Sequence, residues 1–451
     1  MKFKGTTALL AIFVVLGAYV YFAEYRGKES KQKQEEAKKK AINVDQKDIT
    51  EISLVFPDHT ITGIKKGEKQ WEITNPIGVE PDSDEWDLLA SNVPRVERED
   101  TVTSQATDLA PFGLKDPALK VVAKTKDGKT IELLFGAENP RKLYNYAKFA
   151  NSNEVFLTPS SWARIFQKTL TDLRNKKVLD FEPDNVDNVA IAAGSNEIQF
   201  QKSGNDWRVQ KPIDAKADGT EISTFLSSIK FARANGFAEA NVDAKAAGLE
   251  PPAIKISMHD GKANTTRELL LGKSPETDKY YAKDASRPTI LIVDKEITEK
   301  AKRPIFDWRD KAITQVDREK TDQLEIHRGG DTIVIKKDGA DWKSADGKKL
   351  QWDKVSGMFN TLEFDKAKDI MDTPKALTTY GLDKPRLEAV FKQGANELVR
   401  ISFGSDSKSP DGIYVKASNA AAVDVVSKDV YDRFNVNLGD LLETTAAAPK
   451  K

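Results

Sequence analysis

One pattern occurs three times along the chain, and it constrains the fold more than any other feature. A tryptophan follows a glycine-containing turn at Gly67…Trp71, Gly204…Trp207 and Gly339…Trp342, with tryptophan spacings of 136 and 135 residues. A second landmark is Phe112-Gly113-Leu114-Lys115-Asp116-Pro117. It recurs as Ala247-Gly248-Leu249-Glu250-Pro251-Pro252 and as Tyr380-Gly381-Leu382-Asp383-Lys384-Pro385. A third is an apolar run closed by glycine, at Gly136, Gly272 and Gly404, and a fourth is Tyr146-Ala147-Lys148, Tyr281-Ala282-Lys283 and Tyr414-Val415-Lys416. The four landmarks keep one order and a period of 132–136 residues. That period is far longer than the 20–50-residue unit of a solenoid, and each copy is long enough to bury its own core. The 451 residues therefore read as three tandem homologous domains of about 135 residues each: 48–182, 183–317 and 318–443. Residues 444–451, TTAAAPKK, read as a disordered tail.

The first copy is legible in detail. Residues 49–56 alternate apolar and polar and predict a strand; 60–65 and 70–74 continue it as a three-stranded meander. Trp86, Leu89, Ala90 and Val93 share one face of a helix over 82–93. Its counterparts are Ile222, Phe225, Leu226 and Ile229, then Val355, Met358, Phe359 and Leu362. A hairpin over 119–124 and 130–135 turns at Asp127-Gly128. Short strands near 145–149 and 154–157 and a helix over 160–173 close the copy. The expected fold class is α+β, mainly antiparallel. The third copy departs in one place: Ser344-Ala345-Asp346-Gly347 replaces the endings Ile73-Thr74-Asn75-Pro76 and Val209-Gln210-Lys211-Pro212.

Ahead of the repeats lies a different kind of segment. Residues 1–5 carry Lys2 and Lys4, and Thr6–Ala23 runs eighteen residues without a charge. As a helix it spans about 27 Å, close to a hydrocarbon core of about 30 Å. Tyr19, Tyr21 and Tyr25 gather at its far end like an interfacial belt. A cleaved signal peptide has a shorter apolar region and a small-residue cleavage site, so residues 6–23 read as a retained transmembrane anchor. Lysines and arginines flank both sides, and charge alone leaves the orientation open. Residues 24–47 read as a polar stalk.

Composition removes several classes of function. Seventy basic residues balance seventy acidic ones, so no net field draws nucleic acid. There is no cysteine, which excludes disulfides, thiolate metal sites and a cysteine nucleophile. The three histidines, His59, His259 and His327, fall at unmatched positions of the repeats. Gly272-Lys273-Ser274 lacks the upstream glycine of a phosphate loop, because Arg267 stands there. Asp406, Asp411 and Gly412 do not keep the spacing of a calcium loop. Acidic pairs such as Glu97 and Glu99 carry no information in a chain this charged. No catalytic, cofactor-binding or metal-binding residue is assigned, and no cofactor is expected. The repeated tryptophans read as core residues packed on the following helix, with carbohydrate stacking as the alternative.

Taken together, the anchor, the repeated tryptophan, Gly-Leu-x-x-Pro, the glycine-closed run and Tyr-x-Lys resemble an uncharacterised bacterial family of single-anchor envelope proteins. The resemblance covers residues 48–443. It implies a position outside the inner membrane with the N-terminus inside, and an association with ABC-type transport systems of the gliding-motility kind. It brings no catalytic residues. The expected function is that of a non-enzymatic, membrane-anchored accessory or scaffold protein with its body in the periplasm. Its expected partners are the inner membrane and other proteins, ABC permease or ATPase subunits among them, and not nucleic acid. The alternative is an envelope module that binds glycan or lipid.

Overall fold

A computed structural model describes residues 39–443 together with Phe13, Tyr19 and Tyr21. Apart from those three residues, the expected anchor at 6–23 lies outside the described residues, as do the tail at 1–5, most of the stalk and the segment 444–451. Among the described residues no helix is long and apolar enough to cross a membrane.

The chain divides into two compact units, Met1–Lys176 and Lys177–Lys451. The first holds one antiparallel sheet. Its strands are β1 (Ile49–Val55), β2 (Thr60–Gly67), β3 (Gln70–Asn75), β4 (Thr101–Thr103), β5 (Leu119–Thr125), β6 (Thr130–Glu138), β7 (Tyr144–Phe149) and β8 (Val155–Pro159). They lie in the order β3-β2-β1-β5-β6-β7-β8-β4. Ile52 and Leu54 on β1 alternate inward and are buried, and Ile49 joins them across a register shift between Ile49 and Glu51. The helix Ser83–Asn92 buries Trp86, Leu89 and Ala90 against this face. Gly63 on β2 makes the fit possible: a Cβ there would lie 2.4 Å from the Trp86 ring.

Two local features differ from the sequence expectation. The closing helix is broken into Ser160–Phe166 and Leu170–Leu173, because Thr169 and Asp172 form a capping box that starts a new helix. The edge strand β4 pairs with β8 and carries no alternation of its own to announce it.

The second unit holds two further sheets. Among the described residues they contain nine and eight strands and repeat the strand order of the first, the second sheet being extended by Ala215–Lys216. Their long helices, Gly219–Lys230 and Trp352–Phe364, bury the apolar positions that the spacing predicts. The protein is thus mostly antiparallel sheet with a minority of helix. Three apolar cores run from Ile42 to Leu173, from Val178 to Trp308 and from Ile313 to Leu441. Each core begins about five residues before the start that the repeat boundaries suggest: Ile42, then Val178, Leu179 and Phe181, then Ile313 are buried in the core that follows.

Candidate functional site

The repeated landmarks converge in every copy. Gly113, Gly248 and Gly381 have left-handed φ values of 62°, 68° and 66°, which lets the Gly-Leu turn fold back on the sheet. It lands on the glycine that closes the apolar run. A Cβ on Gly136, Gly272 or Gly404 would stand 2.2, 2.2 or 2.1 Å from the carbonyl oxygen of Phe112, Ala247 or Tyr380. The tyrosine of Tyr-x-Lys then packs edge-on against the same turn, Phe112 with Tyr146 at 5.1 Å and Tyr380 with Tyr414 at 5.0 Å between ring centres. The landmark tryptophans are buried. Trp71 stacks on Trp86 and donates to Asp87 Oδ1 at 2.8 Å, and Trp342 packs on Phe359. Side chains held this way are not stacking platforms for a sugar, as the core reading expects. The repeated motifs are packing devices.

The remaining residues considered in the sequence are scattered. His59 stacks on Phe56 and meets Asp58. His259 sits between Asp187 and Asn264, and the hydrogen bond that its ring makes to the Asp187 carboxylate raises its pKa above the usual value. His327 lies between Glu325 and Thr332. Lys273 runs over Gly248, and Gly272 is the packing glycine described above, so no phosphate loop is formed. Asp406 accepts from Arg386 at 2.8 Å, and Asp411 pairs with Lys408 across a tight hairpin. Glu99 accepts from Lys39 at 2.9–3.0 Å. Ser344, at the irregular ending of the third copy, bonds Asp346 and Lys348 in a turn of its own.

Charge chemistry concentrates at the seam of the second and third repeats. The short helix Ile305–Trp308 ends at Arg309, which is buried. Its Nη1 reaches both oxygens of Asp372, at 2.8 and 2.7 Å, beyond the edge strand Asp369–Met371 of the third sheet. Beside it stands Asp424, 7% exposed on the strand Val423–Val426. Asp424 pairs with Val415, and the register places Phe156 and Leu291 at the same point of the other sheets, opposite Ala147 and Ala282. A carboxyl group therefore stands where the other copies bury an apolar side chain. Burial pushes its pKa up to about 7; Arg309 and Lys416 act downward, and Asp372 and Asp369 act upward. Lys416 is itself held by the carbonyl oxygens of Ala420 and Ala421 at 2.8 and 3.0 Å.

A polar cleft of about 550 Å³ opens along this seam. Lys216 pairs with Asp310 at 3.1 Å, and Lys366 of the third repeat lies 4.0 Å from Asp218 of the second. Asp218 also caps the helix Gly219–Lys230, accepting from the amides of Thr220 and Glu221. The helix-end donors and the lysines are thus already engaged. The arrangement joins two repeats through balanced charges, with one carboxyl group poised to titrate. Sequence reasoning did not single out Asp424. The signal was present as an acid in the strand pattern Val-Asp-Val-Val where the other copies have only apolar residues at that point.

Two stretches, residues 71–252 and 207–356, match a family described as a domain of unknown function, DUF4340. The chain belongs to this family. Both matches start on a repeat tryptophan, and each runs through a joint into the following repeat. The matched stretches thus include Arg174 in one case and Arg309, at the equivalent place, in the other. No curated protein matches the chain. A solved structure, the DNA polymerase sliding clamp from Pseudomonas aeruginosa with ligand, aligns at 9% identity over 87% of this chain and 95% of its own. Its TM-score of 0.14 carries no argument.

Proposed function

We propose that this DUF4340 protein is a non-enzymatic scaffold, anchored in the inner membrane by residues 6–23 with its body in the periplasm. There it binds protein partners of an ABC-type transport or envelope complex. One observation carries the reading. Phe231 and Phe364 stand two residues beyond Ile229 and Leu362, the last buried positions of the long helices, and are 77% and 65% exposed. A single exposed phenylalanine is ordinary, but its recurrence at the matching place of two successive copies, in a residue type enriched at protein interfaces, supports a contact surface there. Tandem copies multiply weak contacts through effective concentration. The conspicuous motifs, by contrast, are engaged in packing.

The test is chemical cross-linking in native membranes, followed by purification of the tagged full chain and mass spectrometry. Recovery of an ABC permease or ATPase is expected, with loss of that partner in the Phe231→Glu/Phe364→Glu double variant. Recovery of the same proteins with the parent and the double variant would sink the assignment of the surface, and recovery of no specific protein would sink the scaffold reading. Orientation has a clean assay because the chain has no cysteine. A single cysteine at the exposed position Ser203 should react with a membrane-impermeant maleimide added from the periplasmic side.

A further inference from the structure

The first hairpin of each sheet turns through two residues, and the residue before the turn differs sharply among the copies. It is Phe56 before Pro57-Asp58, Ala193 before Gly194-Ser195 and Arg328 before Gly329-Gly330. Phe56 packs against the first core. Arg328 reaches across to Asn435 Oδ1 and Asn437 Oδ1, each at 3.0 Å. Ala193 is too short for either contact. A second truncation accompanies it. Ala301 ends the helix Glu296–Ala301, where Phe166 and Phe434 end theirs, and both phenylalanines are fully buried.

Both short side chains line a cavity of about 830 Å³. Ile191, Ile198, Pro212 and Ile305 give it an aliphatic floor. Lys211, Lys302 and Arg303 stand among its lining residues, with Glu197 as the one carboxylate. Glu197 is taken by Lys211 at 3.3 Å, and Arg303 is engaged by Glu221 at 3.0 Å. Among the described residues, Lys302 has no carboxylate partner, and its ammonium sits 5.3 Å from the Tyr280 ring centre.

We propose that this pocket of the second repeat binds a single acyl chain ending in a carboxylate, with the chain on the aliphatic floor and the head group at Lys302. The volume lies in the range of small-ligand sites, roughly 300–1,000 Å³. An aliphatic floor rewards burial of methylenes and offers nothing to the hydroxyl groups of a glycan, which lose hydration without compensation. Cations outnumber carboxylates in the lining, and the one without a counter-ion fixes the sign of the head group. This inference goes beyond the scaffold reading and does not depend on it.

The experiment uses membranes carrying the full-length chain and a dodecanoate probe with a photoreactive diazirine near the chain end, alongside the corresponding dodecanol probe. Illumination should label peptides containing 191–198 and 301–305, and excess unlabelled dodecanoate should suppress the label. Ala193→Phe installs the residue of the first repeat and should cut labelling at least tenfold. Lys302→Glu, an exposed change, should cut labelling by the dodecanoate probe severalfold and leave the dodecanol probe unaffected. Label that does not saturate, or that persists in an Ala193→Phe variant as protease-resistant as the parent, overturns the pocket. Equal labelling by the two probes overturns the carboxylate. If Ala193→Phe loses protease resistance, the Lys302→Glu comparison alone decides, and equal loss of both probes or no loss of either counts against the proposal.

Discussion

Arg309 of the second repeat holds Asp372 of the third with one guanidinium nitrogen against both carboxylate oxygens, 2.8 and 2.7 Å away. Arg309 is buried and Asp372 is about one-third exposed, so the pair lies between the surface and interior regimes. Arg309→Ala should loosen the seam by about 1–3 kcal/mol, discounted for the exposure of Asp372. Hydrogen exchange should then quicken in 369–371 and 423–426 and stay unchanged in the first sheet. Protection in Arg309→Ala equal to that of the parent would show that the pair contributes nothing.

Asp424 makes the stability of the third repeat depend on pH. Its folded pKa, about 7, lies above the ordinary 3.8, so the folded state holds a proton that the unfolded chain has released. Stability from this group is full below about pH 4, falls as pH rises toward 7 and stays low above it. The upper bound of the loss is about 4 kcal/mol. Asp424→Leu, the residue type of Leu291, should remove this slope, so that the variant gains most over the parent at pH 8. Melting of both proteins at pH 4.5 and pH 8 decides it; parallel curves would contradict the burial argument.

Gly272 is required by the carbonyl oxygen of Ala247 rather than by its backbone conformation. Gly272→Ala should destabilise the second repeat by about 2–4 kcal/mol, since neither the turn nor the strand can yield freely. Gly194→Ala is the control. Gly194 has a φ of 61° with open space around it, and should cost about 1 kcal/mol from the backbone alone. Exchange rates in 254–271 report both.

His259 gains its raised pKa chiefly from the hydrogen bond with Asp187. Stability from this pair is present below the ordinary histidine pKa of 6.5 and lost as pH rises through the folded value. Asp187→Asn should bring the titration of the His259 ring down toward 6.5, as followed by NMR of its ring protons. An unchanged midpoint would mean that Asn264 and the remaining acids suffice.

Much of this fold is written locally. The helix Ser83–Asn92 follows from the spacing of Trp86, Leu89 and Ala90, and the hairpins follow from their glycine turns, because each depends on residues close in sequence. The burial of Trp71, Trp207 and Trp342 was legible for the same reason. Three things were not. The break near Thr169 depends on a capping box that competes with helix continuation. The seam depends on Arg309 finding an aspartate 63 residues further along the chain. The pocket depends on two alanines, 193 and 301, that are unremarkable singly and matter only as neighbours across a core.

The early start of each core bears on how the chain can be divided. Only residues 309–312 separate Trp308, in the second core, from Ile313, in the third. A fragment begun at residue 183 leaves Val178, Leu179 and Phe181 behind and uncovers the apolar sites they fill. One begun at 318 likewise forfeits Ile313 and the partly buried Val316. Excised repeats should therefore be cut at 176/177 and 310/311. Each repeat thus carries its leading segment, Ile42-Asn43-Val44, Val178-Leu179-Asp180-Phe181 or Ile313-Thr314-Gln315-Val316, as an inseparable part of its own core.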